Sequence, residues 1–296
     1  MLTQLAPSLR CLRAPNPSPL TGTGTNTYLI GTEAVVVIDP GPDMEAHLDA
    51  ILTAIGDATC AAILVTHSHL DHTALVPRLA AATGAPTYGF GDVNAGRSAV
   101  MQALIESPEG SALGGAEGRD AAFVPDHTLG DGEVLHWDGD PITALWTPGH
   151  FNNHLCFAWR DVLFTGDLVM GWSTSLVSPP DGDLTQFMAS CAQLADRSDR
   201  AYYPGHGDPV TAPATRVRDL IAHRQAREAQ ILEALDTAPG TPGDITARVY
   251  TDVAPHLWPA AERNVLAHLI DLHSRGLVTC APGLSRSAIF TLSAAP

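Results

Sequence analysis

The sequence predicts an α/β (α+β) layered fold, β-sheets covered by helices, followed by a small C-terminal module of helices and a hairpin. Three observations carry this. Through the first 210 residues short β-type runs alternate with helical periodicity, neighbouring runs lie close enough for hairpins, and a Pro/Gly-rich hinge sets off a compact tail. Strands are expected, in order, at Asn26–Ile30, Ala34–Ile38, Ala61–Val65, Glu133–Trp137, Ile142–Trp146, Leu155–Trp159, Asp161–Phe164 and Ala201–Tyr203. Helices are expected at Met44–Ile55, at Leu75–Ala82 ending at Gly84, and at Leu184–Leu194 after the entry Pro179-Pro180-Asp181-Gly182-Asp183. Arg97–Arg119, rich in Gly, Ser and Glu, reads as a mobile surface insertion. Ala214–Asp236 reads as one long helix. After Thr237-Ala238-Pro239-Gly240-Thr241-Pro242-Gly243 come a helix (Asp244–Thr251), a second (Ala260–Arg275), and a hairpin of Gly276–Val278 with Ala288–Phe290. That order is the winged-helix pattern.

Composition narrows the function classes. With 45% apolar residues over 296 positions the chain can bury a substantial core. The first twenty residues are broken by Pro7, Pro15, Pro17 and Pro19, unlike a signal peptide, and no run is long and apolar enough to span a membrane. Cys11, Cys60, Cys156, Cys191 and Cys280 are scattered without CxxC spacing, which points to reduced, structural thiols and a cytoplasmic location. The net charge of −16 sits entirely on residues 1–210, which hold 8 Arg against 24 acids, whereas 211–296 hold 8 of each. There is no lysine. An acidic body repels a polyanion at long range, and the tail's second helix sets Arg263 and Arg275 against Glu262 and Asp271, so nucleic acid is disfavoured as a partner. Packing or pairing of copies into a homo-oligomer is the expected role of the tail.

The chemistry concentrates in Thr66-His67-Ser68-His69-Leu70-Asp71-His72, directly after the apolar run Ala61–Val65. Three imidazoles and a carboxylate within six positions are costly to crowd together unless a cation shares them. In an extended segment His67 and His69 share a face, and a tightening after Leu70 turns Asp71 and His72 to the same space. That geometry suits two metals better than one. Three later motifs repeat one design, a β run, a turn and a ligand-type residue: Thr147-Pro148-Gly149-His150, Thr165-Gly166-Asp167 and Pro204-Gly205-His206-Gly207. Glycine beside each ligand permits a tight turn or close backbone approach.

With these four motifs in this order the chain resembles the metallo-β-lactamase-fold hydrolases over residues 20–210. The resemblance implies an αββα sandwich with the site at one edge. It also implies His67, His69 and His150 on a first metal, Asp71, His72 and His206 on a second, and Asp167 bridging. The tail resembles the winged-helix extension of a glyoxalase II-like, lactamase-like subgroup that includes a single-strand endoribonuclease. Thr23–Tyr28, Tyr203–Gly207 and Asn264–Leu269 carry that closer match. The implied organisation is a catalytic domain at 1–213, a connecting helix at 214–236 and a winged-helix-like domain at 237–296.

Five neutral imidazoles and two carboxylates suit Zn²⁺, and also Fe²⁺ or Mn²⁺. Two such cations would hold a bridging water and lower its pKa toward about 7, so that hydroxide attacks a small acyl substrate, a thioester or lactone, with no Ser or Cys nucleophile. Asp71 would orient that water. Asp39 could orient a ligand histidine or cap a turn, Asn153 and His154 could support the site, and Trp172, Ser173 and Thr174 could line a pocket. The remaining histidines, with Tyr202 and Tyr203, are expected in surface or packing roles. The enzymatic alternatives are a metal-dependent single-strand endoribonuclease and a one-iron redox enzyme; a DNA-reading regulator is the alternative outside enzymes. Asp at the bridging position, in place of Cys or Ser, argues against true β-lactamase activity.

Overall fold

A computed structural model describes residues 2–108, 113 and 118–294. Among them the strands form a seven-stranded sheet, a five-stranded sheet and a two-stranded hairpin. The first sheet runs β1 (Leu2–Ala6), β2 (Leu9–Arg13), β3 (Asn26–Gly31), β4 (Ala34–Ile38), β5 (Thr59–Leu64), β6 (Thr87–Gly89), β7 (His127–Thr128). It is antiparallel as far as β4 and parallel from there on. The second is β12 (Ala201–Pro204), β11 (Val162–Gly166), β10 (Leu155–Trp159), β9 (Ile142–Trp146), β8 (Val134–Leu135), with only the β11–β12 pair parallel.

Side-chain alternation assigns the layers. Tyr28, Ile30, Val36, Ile38 and Leu64 face Phe157, Phe164 and Tyr203 across the sandwich. Leu29, Val35, Val37 and Ile63 turn the other way, onto α1 (Glu45–Ile55) and α3 (Val76–Thr83). The outer face of the second sheet packs Cys156, Leu163 and Tyr202 against α5 (Leu184–Ala195) and the first half of α6 (Pro213–Thr237). Strands covered on both faces read as unbroken apolar runs, as β4 and β10 do throughout and β11 does over Val162–Phe164. The result is the αββα sandwich.

The tail adds α7 (Pro242–Val249), α8 (Trp258–Ser274) and the hairpin β13 (Val278–Ala281) and β14 (Ile289–Leu292), built around Ile245, Val265, Leu269 and Phe290 with Ile231 and Leu235 of α6. This is the winged-helix extension. Helix α8 is shared: Ala267 enters the core under the second sheet, and Leu266 and Ile270 pack on Met101 and Leu104 of α4 (Ala99–Glu106). That last contact corrects the reading of Arg97–Arg119 as a mobile insertion, because its first part is a helix with a buried apolar face; positions 109–112 and 114–117 lie outside the described residues. Strands β1, β2, β6 and β7 were not expected from the sequence, and Glu133–Trp137 shrinks to two paired residues. Four cysteines are buried and all five are free thiols. No helix among the described residues is long and apolar enough to cross a membrane.

Candidate metal centre

The site lies where five strands end. Asp39 follows β4, the His67 segment follows β5, His150 follows β9, Asp167 follows β11 and His206 follows β12. His69 is still extended, and Asp71 and His72 sit in a single helical turn, α2 (Leu70–Thr73), so the tightening after Leu70 is present. The fold brings all seven expected residues together in two groups, His67, His69, His150 with Asp167, and Asp71, His72 with His206. Within each group the nearest ligand atoms all lie within 4.8 Å of one another.

Outward hydrogen bonds fix which ring nitrogen faces inward. His150 Nδ1 donates to Leu176 O at 2.7 Å, His72 Nδ1 to Asp39 Oδ2 at 2.9 Å, and His206 Nδ1 to Gly24 O at 3.3 Å. His67 Nδ1 lies 3.0 Å from Thr66 Oγ1, whose own proton goes to Asp39 Oδ2. The opposite nitrogens therefore converge: His67 Nε2 is 2.8 Å, and His150 Nε2 3.1 Å, from His69 Nδ1. Asp167 stands between the groups, 3.5 Å from His72 Nε2, 3.3 Å from His206 Nε2 and 3.7 Å from His150 Nε2. Asp71 Oδ2 is 3.2 Å from His206 Nε2 and, with its side chain 28% exposed against 10% for Asp167, is the carboxylate facing the cavity.

Electrostatics divides the site into two lobes. Burial pushes His67 and His150 down and His69 to about 3, with neighbouring imidazoles adding to the effect on His67 and His69. Burial opposes charge on His72 and His206 too. There the carboxylates win: Asp71, Asp39 and Asp167 hold His72 well above its ordinary value, and Asp167 and Asp71 lift His206 to about 9. Burial would raise the carboxyls of Asp71 and Asp167, but His72 and His206 outweigh it and keep both below the usual carboxylate range.

A pair of divalent cations fits these residues. His72 Nε2 and Asp167 Oδ1 are buried with no hydrogen-bond partner among the described residues, which is costly unless something else meets them. Gly205 closes the cradle, since a Cβ there would stand 2.5 Å from Asp167 Oδ1 and 2.7 Å from His72 Cε1. Five imidazoles, neutral at His67, His69 and His150 and able to exchange a proton for a cation at His72 and His206, form with two carboxylates a donor set for a divalent metal.

The surrounding residues are supports that the sequence reading weighed without deciding. Asp39, 2% exposed, accepts from Thr66 N and Thr66 Oγ1, both at 2.8 Å, as well as from His72, so one carboxylate orients a ligand in each group. Asp39→Asn turns one acceptor into a donor while keeping size, and should weaken metal binding by about 10- to 100-fold; a chelator-competition titration measures it. Asn153 ties Ser68 to the carbonyls of Gly91 and Asp92, and His154 Nε2 accepts from Asp167 N at 3.3 Å. Phe151, which no sequence signal marked, packs its ring 4.8 Å from that of His69. A cavity of about 220 Å³ opens over the centre. Trp172, Ser173 and Thr174 line it, with Leu20, Met170 and Leu176 extending the apolar side.

An αββα sandwich that gathers two ligand clusters at its strand ends defines a metallo-hydrolase. The chain belongs to the metallo-beta-lactamase superfamily, whose family pattern matches residues 20–206; residues 241–282 match the beta-lactamase associated winged helix domain. It is 30% identical over 288 residues to the beta-lactamase-like protein 2 homolog of Drosophila melanogaster, covering 93% of this chain and 91% of that protein. It is 31% identical over 239 residues to the atrochrysone carboxyl ACP thioesterase of Aspergillus fumigatus, a match that takes in 78% of this chain and 66% of that protein. The chain thus spans slightly less than two thirds of that fungal enzyme. Among solved structures, a metallo-beta-lactamase family protein from Thermus thermophilus superposes with a TM-score of 0.76 at 28% identity, over 98% of this chain and 100% of that one. A beta-lactamase domain protein from Burkholderia ambifaria shares the fold at a TM-score of 0.82 and 22% identity, over 99% of this chain and 93% of that one.

Proposed function

We propose that this metallo-hydrolase cleaves small acyl thioesters. His67, His69 and His150 would hold one ion, Asp71, His72 and His206 the second, and Asp167 both, with zinc the resident metal favoured over iron or manganese. Such a pair, when bound, supplies Lewis acidity and hydroxide at neutral pH without a side-chain nucleophile. The observation that carries the substrate class is the cavity wall. Leu20, Met170, Trp172, Phe151 and Leu176 offer an apolar surface for an acyl group, and among the described residues no lysine or arginine lines it. Asp71 Oδ2, the more exposed carboxylate, orients the attacking water from the cavity side. The described wall also holds no tyrosine, lysine or non-ligand histidine above the centre, and its carboxyl outside the ligand set, Asp181, is paired with Arg97 at 2.9 Å, so no free acid faces a leaving alkoxide. A thiolate, whose conjugate acid has a pKa near about 8.5, departs without one, which favours thioesters over lactones. The thioesterase named among the similar fungal proteins supports the same choice.

RNA cleavage is the weaker reading. Arg216, Arg224, Arg227, Arg248 and Arg263 of the C-terminal helices are spent on backbone carbonyls, and Arg275 and Arg286 on carboxylates. Little cationic surface is left there to track a phosphate backbone. The test is turnover of an acyl-thioester panel beside a labelled single-stranded RNA, with one metal-reconstituted preparation. Thioester cleavage without RNA cleavage is expected; the reverse would overturn the proposal. Within the panel, Trp172→Ala should lower kcat/KM for long acyl chains by about tenfold and leave acetyl substrates little changed. An equal loss across chain lengths would remove Trp172 from acyl recognition.

A further inference from the structure

The C-terminal helices reach His150 through three consecutive backbone groups. His150 Nδ1 donates to Leu176 O at 2.7 Å. The residues on either side of Leu176 are both tied to the tail: Ser175 O accepts from Arg224 of α6, and Val177 N donates to Asn264 Oδ1 of α8 at 3.2 Å. Asn264 Oδ1 also accepts from Arg224 Nη1 at 2.9 Å, so one amide oxygen joins both anchors. The same irregular segment is held at its ends, where Arg216 donates to Met170 O at 2.7 Å and Ser173 O at 2.6 Å, and Arg263 to Pro179 O at 3.5 Å. A segment outside helix and sheet has no ladder to aim its carbonyls, and here side chains from the tail do so.

Arg224 is an unusual choice for mere packing. It is 2% exposed, and its charge meets carbonyl and amide oxygens and the face of Phe187, 5.0 Å away, with no ion pair to a carboxylate among the described residues. A buried cation facing neutral acceptors costs free energy that an aliphatic side chain would not. What a guanidinium adds is a rigid fork that orients two acceptors at once.

We propose that Asn264, with Arg224, is a positioning residue for His150. The tail's helices set the carbonyl that fixes the tautomer and aim of His150, and so tune affinity for the ion His150 would share with His67 and His69. This rests on the reading of His150 as a metal ligand.

Asn264→Leu removes the acceptor, Asn264→Asp keeps it, and Arg224→Met removes the second anchor while keeping bulk. Two measurements on the full chain separate the outcomes: amide hydrogen exchange of 170–179 in metal-free protein, and absorption-monitored titration with cobalt(II). Asn264→Leu and Arg224→Met should speed exchange at 175–177 and weaken one of two cobalt sites by about 10- to 100-fold, leaving the other alone. Asn264→Asp should restore both properties. Faster exchange with both cobalt sites at wild-type affinity would overturn the proposal, as would an Asn264→Asp variant no better than Asn264→Leu. A wild-type chain that takes up no cobalt would instead bring down the ligand reading itself.

Discussion

Replacing Asp167 with alanine should reduce turnover by about 10²- to 10³-fold or more in a protein that keeps its fold. Among the described residues, its carboxylate stands within 3.7 Å of ring nitrogens from both clusters. Its loss would remove the donor proposed to be shared by two ions, and the anion that chiefly lifts His206 against burial in the metal-free protein. Metal content measured beside kcat should fall from two ions per chain toward one, and the His206 ring resonances of the metal-free variant should titrate lower than in the parent. Full turnover in a correctly folded variant would remove Asp167 from the mechanism.

His268 should make the chain acid-sensitive well before its carboxylates titrate. The ring is 1% exposed on α8, both of its nitrogens lack a hydrogen-bond partner among the described residues, and burial, reinforced by Arg224 and Arg227, depresses it to about 3. The unfolded chain takes up this proton near pH 6.5, the folded chain only near 3. Stability from this group is therefore complete above pH 6.5 and declines as pH falls toward 3, with a slope of about 1.4 kcal/mol per pH unit. At about pH 5 the cost is about 2 kcal/mol, or roughly 4 to 8 °C in midpoint. Thermal melts of His268→Leu at about pH 7 and about pH 5 should show a smaller acid drop than wild type by about that amount; parallel drops would mean that His268 is not the sensitive group.

The sequence was most legible where local pattern and tertiary role coincide. Ala34–Ile38 and Leu155–Trp159 are strands at the expected bounds because burial on both faces leaves an unbroken apolar run, and Ile142–Trp146 keeps its bounds with Thr143 alone interrupting the run. The four ligand motifs were legible because a strand end and ligand-type residues, with a glycine beside the ligand in the three later ones, form a short local unit. Strands β1 and β2 escaped because the first is a largely exposed edge and Pro7 sits in the turn between them, so prolines that mark a hairpin look like general irregularity. Strands β6 and β7 are too short to show any period. The supports of the site were less legible still. Asp39 lies 28 positions before His67, and Arg224 and Asn264 meet a carbonyl and an amide N–H of a loop far from them in sequence. For Asp39 the turn Asp39-Pro40-Gly41 left two roles open, and for Arg224 and Asn264 nothing in their neighbours announces the contact, which exists only once the chain has folded.

The arginines of the tail are forks and not merely charges. Arg216 spans the carbonyls of Met170 and Ser173, and Arg248 gathers those of Ala234, Ala238 and Pro239 at the end of α6. A lysine in either place would keep the charge and lose the simultaneous reach, because its ammonium is a single point on a flexible stem. At these positions the exchange usually scored as mild is a severe one. A chain without lysine also carries no side-chain amine, so an amine-directed probe would find nothing to label around the catalytic rim and would leave the metal centre's surroundings as they are.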